Sequence, residues 1–312
     1  MDLQVFLNQS LVGKGLSSSS INTYLKNVSR LNDDKPFKNL NFLSDVDGIL
    51  GKIAHYKDNT KRSYLISIVS VLNTLKDTNK KLAKLHQRYY DEMDKINTKI
   101  KEEPKNTKSD TQAENWLEWK EILDKYFEIK DECKMLSKKK ELNEHEYNKV
   151  LEMVILSLYI NIPPRRNQDY QDCFIVNDQD YLPINTNYLI PTEKVFVFNK
   201  YKTYKKHGQQ IEKITPDLWE DICFYFRFHP LIMGKKLKKL NVPFLVHYNG
   251  SGFSPNSITR VLNKIFNKKI GSSMLRHIFL TEKFGDTLNE MEETANAMAH
   301  TISTQKEYIK TH

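Results

Sequence analysis

Two arginines, a lysine, a histidine and a tyrosine stand out in the C-terminal two-thirds of the chain: Arg166, Lys202, Arg276, His300 and Tyr308. Together these side chains can perform metal-free phosphoryl transfer. Each arginine presents a planar fork of donors that matches two phosphate oxygens and stays charged. Two forks can hold a phosphodiester and stabilise the added charge of a pentavalent transition state. A tyrosine hydroxyl can attack phosphorus as a covalent nucleophile. A lysine can protonate the leaving 5′ oxygen, and a histidine can share charge or move a proton near neutrality. Tyr308 is one of 16 tyrosines, so its place carries the argument: it lies on a final helical segment eight residues after His300.

Arg166 lies in the run Pro163-Pro164-Arg165-Arg166-Asn167-Gln168-Asp169-Tyr170 and is preferred over Arg165 because an acidic residue, Asp169, follows it by three. A slip of one residue would exchange the two arginines, and Arg165 otherwise reads as a DNA contact. Lys202 lies in Tyr201-Lys202-Thr203, with Lys200, Lys205 and Lys206 close by. Arg276 lies in Ser273-Met274-Leu275-Arg276-His277, and His300 follows Met298-Ala299.

The ordered set resembles the tyrosine recombinase (phage integrase) family. The double-proline-arginine run and the Lys108-Ser109-Asp110…Glu114-Asn115-Trp116 segment resemble, within it, integrases of large DNA viruses and crypton-like mobile elements. The resemblance covers nearly the whole chain and implies a site-specific recombinase or integrase. Its tyrosine would cleave DNA through a 3′-phosphotyrosyl intermediate without metal, cofactor or nucleotide triphosphate. It would act on double-stranded DNA as a homo-tetramer on synapsed sites, in the nucleus or a viral factory. Where the family shows histidine-x-x-arginine, this chain has Ser273, so either Ser273 or His277 fills the histidine's place. Where the family often shows leucine-glycine-histidine, it has Met298-Ala299-His300. Two other functions remain open: a type IB topoisomerase sharing the chemistry, and a DNA-binding relative that has lost turnover.

The elements that must position these residues fall into two predicted domains. The 312 residues carry a formal net charge of +9, which favours an acidic partner, nucleic acid first, although lysine excess also serves solubility. Residues 1–102 read as a helical bundle. Ser17–Ser20 signal a helix start, and Ile21, Tyr24, Leu25, Val28 and Leu31 follow at helical spacing. Further helices are expected over Phe42–His55, from Asn59-Thr60 onward, and over Thr78–Ile100. The resemblance makes this bundle a core-binding domain that clamps DNA, with Lys61 and Arg62 as phosphate contacts. Residues 103–113, polar and proline-containing, read as a linker.

Residues 114–312 read as an α-rich catalytic domain with a small antiparallel β-sheet, so the fold class is mainly α. An apolar helix stops at Pro163-Pro164, because proline lacks an amide donor and disfavours helix before it. Short strands are expected over Asp172–Val176, Tyr188–Ile190, Lys194–Phe198 and Gln209–Ile214, with Lys205 to Gly208 as the last hairpin's turn. Gly234–Lys239 reads as a basic loop, and Ser254–Phe266 as a helix exposing Arg260 and Lys264. Lys205, Lys206, Arg260 and Lys264 join the candidate DNA contacts. The three cysteines show no pairing framework or metal spacing, no secretory signal opens the chain, and no apolar stretch is long enough for a bilayer. The expectation is an intracellular protein with no membrane partner.

Overall fold

The computed structural model describes residues 3–35, 37–102, 107–177, 183–233 and 241–309. The chain divides into two compact units, Met1–Thr107 and Lys108–His312.

The first unit is all helical: α1 (Leu3–Gly13), α2 (Ser18–Leu31), α3 (Val46–Ile53), α4 (Asp58–Leu72) and α5 (Lys80–Glu102). The Ser17 hydroxyl caps α2 by accepting from the Ser20 amide at 3.2 Å. The expected Phe42–His55 helix is broken in two. A 3₁₀ turn covers Asn41–Ser44, and Asp45 then starts α3 by accepting from the Gly48 amide at 3.0 Å. The α4 face of Tyr64, Leu65, Ile68 and Leu72 is buried as its spacing predicts, whereas Val69 is only half-buried. Tyr89 of α5 is fully buried and donates to the Leu43 carbonyl at 2.8 Å, which satisfies its hydroxyl inside the core.

The second unit is α-rich around a small sheet. Its elements are α6 (Asp110–Asn115), α7 (Trp119–Met135), α8 (Glu144–Ile160), α9 (Asn167–Gln171), β1 (Cys173–Val176), β2 (Asn187–Ile190), β3 (Val195–Phe198), α10 (Tyr204–His207), β4 (Gln210–Lys213), α11 (Pro216–Phe226), β5 (Asn241–Pro243), α12 (Ser257–Phe266), α13 (Ser272–Ala297) and α14 (Ile302–Tyr308). Four points differ from expectation. Residues 103–106 of the expected linker lie outside the described residues, and its last part is helical. Ser109 and Gln112 form a reciprocal capping box that starts α6 (3.3 and 2.9 Å). Lys268 and Lys269 then bind the Trp116 and Asn115 oxygens at 3.1 and 2.8 Å, which ties α6 into this unit.

The sheet, of order β4-β3-β2-β1-β5, is mixed instead of antiparallel, because β1 and β2 pair in parallel. Cys173 lies beside Asn187 and Ile175 beside Leu189, and strands running in the same direction cannot be joined by a two-residue hairpin. β5 was not expected; three residues including a proline carry no alternating pattern. The residues expected to form the last hairpin's turn form α10. The expected Gly234–Lys239 loop lies outside the described residues.

Helix α8 is buried on nearly every side, as an apolar helix must be, and packs against α7, α11 and α12. One polar cluster meets it at Ser157. The Asp221 carboxylate, 1% exposed, accepts from the Tyr126 and Ser157 hydroxyls, each at 2.6 Å, and pairs with Lys130 at 3.1 Å. Asn161, which ends α8, donates to Ser157 at 2.8 Å, so this network reaches the end of the helix that leads into the double proline. No helix of the described residues is long and apolar enough to cross a membrane.

Candidate active site

The double-arginine loop leaves α8 at Asn161 and enters α9, with Arg166 as the residue preceding its first turn. Asn167 fastens that turn on three sides. Its Oδ1 accepts from the Tyr159 hydroxyl at 2.7 Å, its Nδ2 donates to Thr259 at 2.8 Å, and its amide donates to the Ser272 hydroxyl at 3.3 Å. Tyr159 belongs to α8, Thr259 to α12 and Ser272 to the first residue of α13, so one asparagine holds the start of α9 against the start of α13. Arg276 lies one turn into α13, on the same corner.

Asp169, 3% exposed, reports the convergence. Burial raises its carboxyl above the usual carboxylate range, while the charge and hydrogen bond of Arg165 and the charges of Arg166 and Arg276 pull it down. Three guanidiniums therefore act on one buried carboxylate, and the corner keeps an excess of positive charge suited to an anion.

The two neighbouring arginines differ. The acidic partner, expected for Arg166, belongs to Arg165: Nε donates to Asp169 at 3.0 Å, a four-residue spacing across the turn. Arg166 itself has an extended backbone and is half-exposed, with no side-chain hydrogen bond or ion pair among the described residues. The basis for preferring Arg166 thus shifts from a buttressed side chain to an unengaged one.

Lys202 is exposed, in the connection between β3 and β4, and Lys205 and Lys206 lie beside it on α10. Lys200, in contrast, pairs with Asp172 at 3.1 Å. The connection is anchored by Asn187, fully buried at the head of β2. Its Oδ1 accepts from the Asn199 and Lys200 amides at 2.9 and 2.7 Å, and its Nδ2 donates to the Lys200 and Asp169 carbonyls, both at 2.9 Å. Asn187 therefore joins α9 to the lysine-bearing connection. Neither Asn167 nor Asn187 was singled out from sequence. The only local signals are a polar residue after the double arginine and one ahead of an apolar strand.

Ser273 and His277 lie exposed on the first turns of α13, and neither has a side-chain partner among the described residues. His300 and Tyr308 sit together at the other end, with ring centroids 5.8 Å apart. His300 Nδ1 lies 3.3 Å from the Thr301 carbonyl, and its Nε2 is buried with no hydrogen-bond partner. Tyr308 is 68% exposed, and among the described residues no hydrogen bond or ring contact joins it to Arg166 or Arg276. The structure thus forms two clusters, an arginine corner and a histidine–tyrosine pair.

Of the expected DNA contacts, Arg260 is exposed and has no side-chain partner among the described residues. Lys205 and Lys206 are exposed as well. Besides Arg165, three others are engaged within the protein. Lys61 pairs with Asp58 at 3.4 Å, Arg62 donates to Asn97, and Lys264 pairs with Glu152 at 2.8 Å. No group of three or more His, Cys, Asp or Glu side chains among the described residues is arranged to hold a metal ion.

No protein-family model matches the chain, and no curated protein matches it. Among solved structures it is similar to the crystal structure of XerA recombinase at 14% sequence identity. The alignment covers 100% of this chain and 94% of that one, with a TM-score of 0.34. Any reading of the site therefore rests on its own residues and geometry.

Proposed function

We propose that the chain is a DNA strand transferase of the tyrosine recombinase type. In this reading Arg166 and Arg276 hold the scissile phosphodiester and neutralise charge as the pentavalent state forms. The Tyr308 Oη attacks phosphorus, the P–O5′ bond breaks, and Lys202 gives a proton to the departing 5′ oxygen. The product is a 3′-phosphotyrosyl ester and a free 5′ hydroxyl. A 5′ hydroxyl from a second duplex reverses the step, which completes strand exchange. His300 shares the developing charge or shuttles the tyrosine proton. Synapsis of two duplexes calls for a tetramer on double-stranded DNA, and the site-specific recombination and integration roles follow from that assembly.

The observation that carries the reading is the fastening of the Arg166 loop to the first turn of α13, with Arg166 and Arg276 both acting on Asp169. The attack requires α14 to bring the Tyr308 hydroxyl to that corner, and the break between α13 and α14 at Thr301 is the place where it can swing.

A second reading, a DNA-binding relative without turnover, is favoured by one observation: Tyr308 contacts His300 and neither guanidinium. A nicked suicide duplex separates the two. The strand transferase traps a covalent protein–DNA adduct, and Tyr308→Phe abolishes it while DNA affinity stays within about twofold, since one exposed hydroxyl contributes little to binding. No adduct from the unaltered chain, or one that survives Tyr308→Phe, refutes the proposal. Relaxation of any supercoiled plasmid by the monomer would move the assignment to a type IB topoisomerase.

A further inference from the structure

We infer that Arg165 is a positioning residue, a brace that holds the Arg166 loop in register with the lysine-bearing connection, and not a phosphate ligand. Its consequence for catalysis rests on the strand-transferase reading, but its geometry does not. The guanidinium is engaged on two edges and one face. Nε donates to Asp169 at 3.0 Å and Nη1 donates to Gln210 Oε1 at 2.8 Å. The guanidinium carbon lies 3.9 Å from the centroid of the Phe198 ring and 5.2 Å from that of Tyr201.

The origin of those partners gives the arrangement its meaning. Phe198 ends β3 and Gln210 begins β4, and the two are opposite each other in the β3–β4 ladder. The segment between them carries Lys202, Lys205 and Lys206. Arg165 therefore grips both ends of the lysine-bearing connection while its Nε is fixed to α9. Tyr201, one residue before Lys202, closes the same connection by donating to the Gly208 carbonyl at 2.6 Å. Only a flat, forked cation can stack on a ring and donate in two directions at once; a lysine offers a point charge without a face. The side chain is 17% exposed, so little of it remains to meet a duplex. The two arginines thus divide the work: Arg165 sets the distance between loop and lysine, and Arg166 meets the phosphate.

The test uses the full chain with Arg165→Met, Arg165→Lys, Gln210→Leu and Arg166→Ala. Three quantities are measured: the salt dependence of binding to a random-sequence duplex, single-turnover cleavage of a nicked suicide duplex, and hydrogen–deuterium exchange over residues 199–209. A brace predicts that Arg165→Met leaves the slope of log Kd against log salt unchanged, whereas Arg166→Ala lowers it by about one. Arg165→Lys and Gln210→Leu should speed exchange over 199–209 and slow cleavage about tenfold or more, with Kd unchanged. Arg166→Ala should leave that exchange as it is.

A slope reduced by about one in Arg165→Met, or unchanged exchange in Gln210→Leu, overturns the inference. If Arg165→Met fails to fold, the exchange of Gln210→Leu decides alone. If the unaltered chain neither binds nor cleaves DNA, the strand-transferase reading fails, and the exchange measurements still judge the brace.

Discussion

Ala299 offers a small perturbation with a calculable effect on the segment that carries the candidate nucleophile. Its φ is +57°, in the left-handed region where a Cβ is penalised. The geometry is a Schellman end to α13: the Ala299 amide donates to the Asn296 carbonyl at 3.1 Å, and the His300 amide donates to Ala295 at 3.0 Å. The chain needs this turn to leave α13 and start α14, so the strain is held by two hydrogen bonds and by the Thr301 cap, which accepts from Thr304 at 3.2 Å. Ala299→Gly removes about 1–2 kcal/mol of left-handed strain. The unfolded chain gains freedom worth about 0.4–1 kcal/mol in the other direction. The net gain is about 0.5–1 kcal/mol for the turn, or roughly a two- to fivefold slower opening, using RT of about 0.6 kcal/mol.

Because α14 is short and peripheral, the gain appears locally and not in the global melting point. Hydrogen–deuterium exchange of the Ala299 and His300 amides is the appropriate assay. Ala299→Val, β-branched at a positive φ, should speed exchange at the same amides by more than glycine slows it. Equal or faster exchange in Ala299→Gly, with no response to Ala299→Val, would refute the claim that the turn is strained.

Three further outcomes follow from the second unit. His229 is fully buried: Nδ1 accepts from the Leu231 amide at 3.2 Å, so Nε2 carries the proton toward the Pro243 and Phe244 carbonyls at 3.1 and 3.2 Å. Burial lowers its pKa from 6.5 to about 4, against the opposing pull of those carbonyls, so it stays neutral in the fold while the unfolded chain protonates. Stability is therefore complete above pH 6.5 and falls by about 3 kcal/mol as pH drops to 4, and denaturant titrations should show this dependence shrinking in His229→Gln. Asp221→Asn leaves Lys130, whose side chain is 16% exposed, with only the exposed Glu220 at 3.0 Å, removes the carboxylate that accepts from Tyr126 and Ser157, and should cost about 1–3 kcal/mol of unfolding free energy. Asn187→Leu should release the connection around Lys200 from α9, which amide exchange at Asn199 and Lys200 would report as loss of protection; unchanged protection would mean that strand pairing alone holds it.

Helix positions were legible wherever periodicity and caps agreed. Ser17 before Ile21, and the double proline after α8, each act within a few residues of chain, so local chemistry sufficed. The reading failed where a partner lies far along the chain. It also failed once locally, where Asp45, accepting from the Gly48 amide, splits an apolar run that looks like one helix. β5 is held by its pairing with β1 and not by its own three residues. The parallel pairing of β1 with β2 depends on where the chain returns, which no strand pattern encodes.

Residue types and order by themselves determined which side chains could handle a phosphodiester, because charge, fork geometry and nucleophilicity belong to each residue. Which arginine is spent inside the protein was decided only by the tertiary structure, since Asp169, Phe198 and Gln210 meet Arg165 from three separate elements. The same holds for the partnering of Arg62 with Asn97 and of Lys264 with Glu152, and for the lack of contact between Tyr308 and either guanidinium among the described residues. Intrinsic chemistry is carried by a residue; its availability is set by the neighbours that packing brings to it.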